Sequence, residues 1–354
     1  MIESDVVTGN QDHGASFAGQ RCGHGQADTP GPTGYECPLA RQSKIHDPSL
    51  SFVVRSARHV SLEPYCRINT TVLNTPTKCG GAGELMKLLG KVAIVTGTSP
   101  NIGGGIAEAL AAEGATIVAI DARRENAEAC AEAIRVMGGQ AIGIRCNVVD
   151  EGEVTAAVEQ AVASYGRIDI LVNNAAIFNQ KDIATMTLME WRQVTSIILD
   201  GAFLFTKYAT ANMVPHRSGV VINVVSTAGH QGQPGNIAYT TAKAGMLNFT
   251  RSAAMEYARH GIRVVSLTPT ATEVGEMIER ARRWNLDLGP LPDYSAITAR
   301  FASRIPMKAL PKPSDYGAAA VFLASDDAAM ITGSDLRVDG GAVARYWAWE
   351  PTDD

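Results

Sequence analysis

Three side chains in the second half of the chain have types and spacing suited to moving a proton at a carbon–oxygen group. Tyr239 and Lys243 are four residues apart, and Ser226 lies upstream of them. The segment from Asn236 onward predicts a helix, which places Tyr239 and Lys243 one turn apart on one face. A phenol is a poor base at neutral pH because its unperturbed pKa is about 10, and an adjacent ammonium favours the phenolate. We expect Ser226 to hold a substrate oxygen while Tyr239 moves the proton.

A glycine-rich turn lies further upstream, between an apolar run and a helical pattern. The run 91–96 is typical of a buried parallel strand, and it leads into the turn that contains Gly97 and Gly103. Such a turn lets the backbone approach a pyrophosphate, which then rests on the helix N-terminus. Asp121 ends the next apolar run, where a carboxylate can accept a hydrogen bond from a ribose 2′-hydroxyl. These features predict a dinucleotide site.

The chain from about residue 86 to about residue 344 resembles the short-chain dehydrogenase/reductase family. The resemblance implies an α/β fold, a doubly wound parallel seven-stranded sheet of the Rossmann type. It also implies hydride transfer between a nicotinamide cofactor and a secondary alcohol or ketone, usually in a homotetramer or homodimer. The motifs follow the family's order: Thr96-Gly97…Gly103, Asp121, Asn173-Asn174-Ala175-Ala176, Ser226, Tyr239 with Lys243, and Val338-Asp339-Gly340-Gly341.

The resemblance also implies a role for individual residues. Tyr239 would be the acid/base, Lys243 would lower its pKa and hold the nicotinamide ribose, and Ser226 would orient the substrate oxygen. These three residues are called the catalytic trio below. Cofactor contacts are expected from the glycine turn and from the ends of the later strands: Gly97, Asn101, Ile102, Gly103, Asp121, Asn147, Val148, Asn174, Ala175, Tyr239, Lys243, Pro269 and Thr272.

Two features around Asp121 favour NAD over NADP. The residue that follows it is Ala122, and the glycine turn carries no basic residue. The alternative is that Arg123 or Arg124 binds a 2′-phosphate. The balance of these observations predicts NAD as the cofactor.

One departure from the family pattern bears on catalysis. Ile198 stands where the family has an asparagine that holds a water in a proton relay beyond the lysine. Isoleucine cannot hold a water, and Thr195 or Ser196 is the alternative. Two hypotheses follow: an oxidoreductase, or a catalytically impaired NAD-binding protein of the same fold that serves as a sensor or scaffold. The intact catalytic trio favours the oxidoreductase.

Composition excludes few classes of protein. The 354 residues are 45% hydrophobic, which is enough for a sizeable core. The net charge of −5 gives no indication of a basic surface that would bind nucleic acid. No apolar run approaches the roughly 18 residues that span a bilayer. The first residues lack the basic and apolar regions of a secretory signal. We therefore expect a soluble, cytoplasmic protein with a small-molecule substrate.

Residues 1–85 do not fit the enzyme pattern, which occupies 86–354. They are rich in Gly, Pro, Ser and Thr and show no sustained helical or alternating period, which predicts a disordered extension. The alternative is a metal or redox module, since four of the six cysteines lie here: Cys22, Cys37, Cys66 and Cys79. Their spacings do not form the paired knuckles of zinc sites, so we predict no metal site.

From residue 86 onward, apolar runs and helical patterns alternate, which predicts a parallel sheet. The longest predicted helices lie near 188–213 and 236–260. Predicted strands are 91–96, 116–120, 141–146, 168–173, 219–226, 263–268 and 336–338.

The segment 273–303 breaks this alternation. It follows the carboxyl end of the sixth predicted strand, where doubly wound sheets bind ligands, so we predict a mobile lid that selects the substrate. Its Arg280, Arg282 and Arg283 raise the possibility of an acidic substrate. A solvated basic face is the interpretation that we favour, because long charged side chains are mostly exposed.

Overall fold

The computed structural model describes residues 86–346 and residue 348. In this part of the chain seven parallel strands form one sheet in the order β3-β2-β1-β4-β5-β6-β7. The predicted fold class is therefore confirmed. The strands are β1 Val92–Thr96, β2 Thr116–Asp121, β3 Ala141–Arg145, β4 Ile170–Asn173, β5 Gly219–Val224, β6 Ile262–Pro269 and β7 Asp335–Val338.

Helices connect the strands, and a π-helical segment, Ser196–Asp200, joins two of them. The predicted helix near 188–213 is therefore α4, this segment and α5 in succession. The helices are α1 Ile102–Ala112, α2 Arg124–Val136, α3 Glu151–Tyr165, α4 Leu188–Thr195, α5 Gly201–His216, α6 Ile237–Tyr257, α7 Gly275–Arg283, α8 Ser295–Arg304 and α9 Pro313–Ala324.

The prediction of a disordered extension over residues 1–85, with Cys22, Cys37, Cys66 and Cys79, lies outside the described residues. Within the described residues, no helix is both long enough and apolar enough to cross a bilayer.

Both faces of the sheet are covered by helices, which explains why the sequences of the strands are continuous apolar runs. Successive side chains of a strand point to opposite faces. Ala93 and Val95 accordingly join one core cluster, and Val92 and Ile94 join the other. Helices α1, α2 and α9 pack on the first face, and α3 and α5 pack on the second.

The topology creates a crevice at the carboxyl end of β1. The chain runs from β1 to β2 and β3 on one side, and then returns to place β4 on the other side of β1. In open α/β sheets ligands bind at such a switch point. The glycine turn follows β1 at this position.

Strand β5 ends two residues earlier than the sequence indicates. It stops at Val224, so Ser226 lies beyond the strand, although its backbone stays extended with φ −178° and ψ 153°. The N–H of Val225 still donates to the carbonyl oxygen of Leu267 at 2.8 Å. This bond holds the exit of the strand, and with it Ser226, against β6.

Candidate active site

The structure brings the catalytic trio together. Ser226 lies just past β5, where its Oγ accepts a hydrogen bond from the N–H of Ala228 at 3.1 Å. Helix α6 carries Tyr239 and Lys243 one turn apart, and Lys243 Nζ lies 5.7 Å from the centroid of the Tyr239 ring. The Ser226 hydroxyl is within hydrogen-bonding reach of the Tyr239 phenol. This geometry suits proton transfer at an oxygen atom placed between the serine and the tyrosine.

The electrostatics of Tyr239 differ from the prediction. Burial raises the pKa of the phenol above its ordinary value, and the hydrogen bond with Ser226 opposes this only in part. Lys243 does not produce the expected decrease, because with a pKa of about 7 it is largely uncharged where a phenol ionises; its Nζ donates to the carbonyl oxygen of Val224 at 2.6 Å. The phenol is therefore protonated at neutral pH, which is the form that can donate a proton to a ketone oxygen.

Lys243 is buried in apolar surroundings. It is 2% exposed, and burial lowers the pKa of its ammonium to about 7. Ile198, which is 1% exposed, belongs to an apolar cluster with Val225 and Ala242, the neighbours in sequence of Val224 and Lys243. The charged form of Lys243 is costly here because little of its hydration is replaced.

Replacing Lys243 by methionine should change how stability depends on pH. The pKa of Lys243 is about 7 in the folded protein and about 10.4 in an unfolded chain. Between these values the unfolded chain binds more protons, so the lysine makes the free energy of unfolding rise with pH, by up to about 1.4 kcal/mol per pH unit. The methionine variant lacks this slope. Guanidinium unfolding at pH 7, 8 and 9 should show that the free energy of unfolding of the wild type increases relative to that of the variant. If the two free energies change with pH in parallel, the lysine is solvated.

Ile198 stands at the position of the family's relay asparagine, and Thr195 and Ser196 are the alternatives that lie close to it in the chain. The Thr195 hydroxyl donates to the carbonyl oxygen of Trp191 at 2.9 Å. The Ser196 hydroxyl donates to the carbonyl oxygen of Gln193 at 3.3 Å. Both hydroxyls donate to their own helix, but each keeps lone pairs that can accept a hydrogen bond from a water, so a water held by Thr195 or Ser196 stays a prediction.

Gly97, just after β1, and Gly103, in the first turn of α1, have no room for a side chain. Gly97 has a φ of +70°, and a Cβ there would lie 2.9 Å from the Cα of Ala175. A Cβ at Gly103 would collide with the carbonyl group of Gly97. Asn174 fixes the turn, because its Nδ2 donates to the carbonyl oxygens of Thr96 at 3.0 Å and Gly97 at 2.9 Å. The predicted cofactor residue Asn174 thus acts through the shape of the turn.

This turn fits the pyrophosphate of a nicotinamide dinucleotide. Helix α1 begins at Ile102 and has no acidic residue in its first turn. The first-turn N–H groups of a helix have no intrahelical partner, and the helix dipole favours an anion there. Asn101 Oδ1 is buried without a hydrogen-bond partner among the described residues, so it is an acceptor that a cofactor hydroxyl would satisfy. A narrow glycine turn, a helix N-terminus and an unpaired acceptor together match the ligand.

Asp121 lies at the carboxyl end of β2, beside the turn. It is 8% exposed, and burial raises its pKa, although its hydrogen bonds oppose this. Its Oδ1 accepts from the N–H of Arg123 at 2.9 Å and from Asn126 Nδ2 at 3.2 Å. Neither bond uses Oδ2, which is the oxygen that could accept from a ribose hydroxyl.

Asn147 and Val148 follow β3 and line the route from that strand to α3. The N–H of Asn147 donates to Glu153 Oε2 at 2.7 Å. Val148 packs on α5 so closely that a Cβ at Gly201 would lie 2.8 Å from its Cγ2. These contacts hold the loop beside Asp121, where Asn147 Oδ1 also accepts from the N–H of Val149 at 3.5 Å, and the cofactor contact of Asn147 stays a prediction.

Pro269 and Thr272 lie at the carboxyl end of β6. Pro269 pairs with Val338 of β7. Thr272 Oγ1 donates to the carbonyl oxygen of Thr270 at 3.2 Å, and the Tyr316 hydroxyl reaches the same oxygen at 3.4 Å. Burial raises the pKa of Tyr316 to about 12. The loop that would cover a nicotinamide is therefore held by hydroxyl groups that stay neutral.

A cavity of about 700 Å³ contains Ser226 and Tyr239 in its lining, and we call it the substrate cavity. Its volume lies in the range of small-molecule sites. Phe178, which the sequence did not single out, places its ring edge-on to Tyr239, with centroids 6.1 Å apart and planes at 72°. The only sequence signal for Phe178 is its place shortly after the Asn173–Asn174 motif at the end of β4.

The predicted lid contains a tightly held first half. Arg280 is 3% exposed, and it donates to Glu108 Oε2 at 2.9 Å, to Glu276 Oε1 at 2.6 Å and to the carbonyl oxygen of Pro100 at 3.0 Å. Arg283 also bonds to Glu108, at 3.1 Å. The interpretation of these arginines as a solvated basic face is wrong for Arg280, because burial against α1 pairs it with two carboxylates. Because both carboxylates already pair with Arg280, this arginine does not bind an acidic substrate.

The second half of the predicted lid is α8. Its Phe301 and Arg304, followed by Ile305, line the substrate cavity. This segment thus lies where a substrate-selecting element is expected, and its mobility stays a prediction.

Comparisons with known proteins agree with this geometry. The family model described as enoyl-(acyl carrier protein) reductase matches residues 97–343. The chain is 37% identical to a D-threitol dehydrogenase from Mycolicibacterium smegmatis over 72% of its own length and 94% of the relative's. It is also 37% identical to a cis-4-hydroxycyclohexanecarboxylate dehydrogenase from Sinomonas cyclohexanicum, over 72% and 97% of the two lengths. The solved structure of an NAD⁺-bound xylitol dehydrogenase is 30% identical, with a TM-score of 0.65 over 72% of this chain and 100% of that one.

Proposed function

Because the chain belongs to the short-chain dehydrogenase/reductase family and is an oxidoreductase of CH–OH groups, we propose that it interconverts a secondary alcohol and its ketone with NAD. The observation that carries this proposal is the convergence of Ser226, Tyr239 and Lys243 at the substrate cavity beside the glycine turn. When bound, the nicotinamide would supply the hydride acceptor or donor.

Each member of the trio then has a role that its contacts support. Ser226 orients the substrate oxygen, since its hydroxyl can bond to the same atom as the phenol. Tyr239 gives the proton to a ketone oxygen in reduction and removes it from a carbinol in oxidation. Lys243 lies one turn beyond Tyr239, and its proton, with a pKa of about 7, is exchangeable at physiological pH. A charged Lys243 stabilises the phenolate that forms when Tyr239 has given up its proton.

The test is a panel of secondary alcohols with NAD, followed by absorbance of NADH. We expect turnover with at least one alcohol and an increase in oxidation rate with pH, because the raised pKa of Tyr239 must be overcome to form the base. An alcohol panel that yields no NADH, with NAD binding confirmed by calorimetry, would instead support the catalytically impaired sensor or scaffold. The observation that favours this second candidate is Ile198, whose site lacks a polar relay side chain.

NAD as the preferred cofactor can be tested at Asp121. We expect Asp121→Ala to lower kcat/KM with NAD roughly tenfold and to raise it with NADP, because the acceptor for the ribose hydroxyl and its negative charge are both lost. Glu125→Ala is the matched control, since it removes an exposed carboxylate from the adjacent helix. A wild-type preference for NADP would show that Arg123 or Arg124 dominates over the carboxylate.

Assembly and location are proposals of the same kind. A homotetramer or homodimer would cover exposed apolar side chains such as Phe203 on α5 and Met255 on α6, which are 52% and 82% exposed. Mass photometry distinguishes these states from a monomer. We also propose a cytoplasmic location, for which cell fractionation is the test.

A further inference from the structure

The charge of the substrate cavity differs from that of the protein as a whole. The chain has a net charge of −5, yet the described residues that line the cavity include two arginines, Arg304 and Arg345, and no Asp, Glu or Lys. These arginines come from the end of α8 and from the segment that follows β7. They share the cavity with Ser226 and Tyr239, so their charge bears on whatever the trio acts upon.

No carboxylate of the described residues neutralises either arginine. Among residues 86–346 and 348, the ion pairs include neither guanidinium. Arg280 and Arg283 show the opposite case, since Glu108 and Glu276 pair with them. The positive charge of the cavity is therefore available to a ligand, whereas that of Arg280 and Arg283 is paired.

Arg345 is held in place without losing its capacity to bind. It is half-buried, and its Nη1 donates to the carbonyl oxygen of Arg304 at 3.1 Å. A guanidinium has five N–H donors, so this single bond fixes the side chain and leaves the remaining donors for a planar anion. The same bond joins the segment after β7 to the end of α8 and places Arg345 beside the backbone of Arg304, whose own side chain is exposed.

The rest of the lining indicates where on a ligand the anion sits. The residues of the dinucleotide turn, Gly97 and Gly103, and the ribose candidate Asp121 are absent from this lining. The arginines therefore serve the substrate end of the site. Phe178 and Phe301 provide apolar surface for a carbon skeleton between the reacting carbon and the charge.

From these observations we propose that the substrate is a secondary alcohol, or its ketone, that carries a carboxylate, and that Arg304 and Arg345 bind this carboxylate. The proposal rests on the proposed function. In oxidation the carbinol carbon gives its hydride to the nicotinamide, the hydroxyl proton goes to Tyr239, and the carboxylate is unchanged. Guanidinium and carboxylate form parallel charge-assisted hydrogen bonds, which fix orientation as well as affinity.

Matched substrates test the proposal by activity. We would compare 4-(1-hydroxyethyl)benzoate with its methyl ester, and 3-hydroxybutyrate with its methyl ester, using NAD. The wild type should favour at least one acid over its ester in kcat/KM. In Arg304→Gln and Arg345→Gln this acid-to-ester ratio should fall roughly tenfold to a hundredfold, the loss typical of a charged hydrogen bond. Arg304→Lys should restore part of the ratio, and Arg282→Gln, at an exposed position on α7 outside the cavity, should leave it unchanged.

Equilibrium binding separates this inference from the proposed function. Calorimetry would measure butyrate, hexanoate, benzoate and 4-ethylbenzoate, each against its own amide, with the wild type, Arg304→Gln and Arg345→Gln. None of these probes reacts, so the result holds even if the alcohol panel gives no turnover. Tighter binding of a carboxylate than of its amide, lost in the glutamine variants, supports the proposal. It is overturned if no carboxylate binds more tightly than its amide, or if the preference survives both substitutions.

Discussion

Tyr239→Phe should lower kcat by roughly a hundredfold or more while NAD binding stays nearly intact. The phenylalanine ring keeps the packing of Tyr239 on Phe178, but the transferable proton is gone. Positioned proton transfer typically contributes 10²–10⁴-fold to a rate. The loss should therefore fall on the chemical step, with kcat and kcat/KM reduced together.

Steady-state kinetics on the best alcohol of the panel, with calorimetric binding of NAD, measure this effect. Tyr257→Phe is the matched control, since it removes a phenolic hydroxyl from the far end of the same helix, outside the substrate cavity. A Tyr239→Phe variant that keeps more than about a tenth of the wild-type rate would exclude Tyr239 as the acid/base.

Arg280→Leu should lower the free energy of unfolding by about 3–5 kcal/mol, the range for breaking a buried ion pair from one side. Glu108 would keep Arg283 and the Trp284 indole as partners, but it would lose the most buried of its three donors. The carbonyl oxygen of Pro100, within the glycine turn, would also lose its donor. We therefore expect weaker NAD binding in addition to lower stability.

Urea unfolding of the wild type and the variant measures the change. Arg282→Leu is the control, because it removes an exposed arginine from the same helix, and surface substitutions usually stay within about 0.5 kcal/mol. If Arg280→Leu unfolds within about 1 kcal/mol of the wild type, solvent reaches the pair and α7 is not anchored to α1 as the contacts indicate.

Much of the candidate site could be predicted from the sequence because its signals are local. The i,i+4 spacing of Tyr239 and Lys243 survives in any helix that contains both. The run from β1 through the glycine turn to α1 is likewise a continuous stretch of chain. For the same reason the alternation of apolar runs and helical patterns predicted a parallel sheet and the approximate positions of its strands, while the family resemblance implied the doubly wound, seven-stranded class.

The sequence was less informative where a residue's surroundings come from distant parts of the chain. In the sequence, Ile198 was only a departure from the family's pattern. The packing of α4, α5 and α6 showed that its side chain lies among apolar side chains. The pKa of Tyr239 was predicted to fall because a lysine is one turn away. In the structure it rises, because burial outweighs a lysine that is largely uncharged where a phenol ionises.

The arginines show most clearly which properties the sequence determined and which the tertiary structure decided. The sequence by itself showed that Arg280, Arg282 and Arg283 lie in the predicted lid and that helical spacing puts 280 and 283 on one face, but it favoured a solvated basic face. Tertiary structure decided that Arg280 is neutralised by Glu108, 172 residues away in the chain, while Arg304 meets Arg345 at the substrate cavity. The physical reason is that helical periodicity fixes which side chains share a face, whereas the topology of the sheet fixes what that face meets. The topology of the sheet therefore decides whether a charged side chain is buried and which partners it has. These two properties determine the chemistry that the charge can perform.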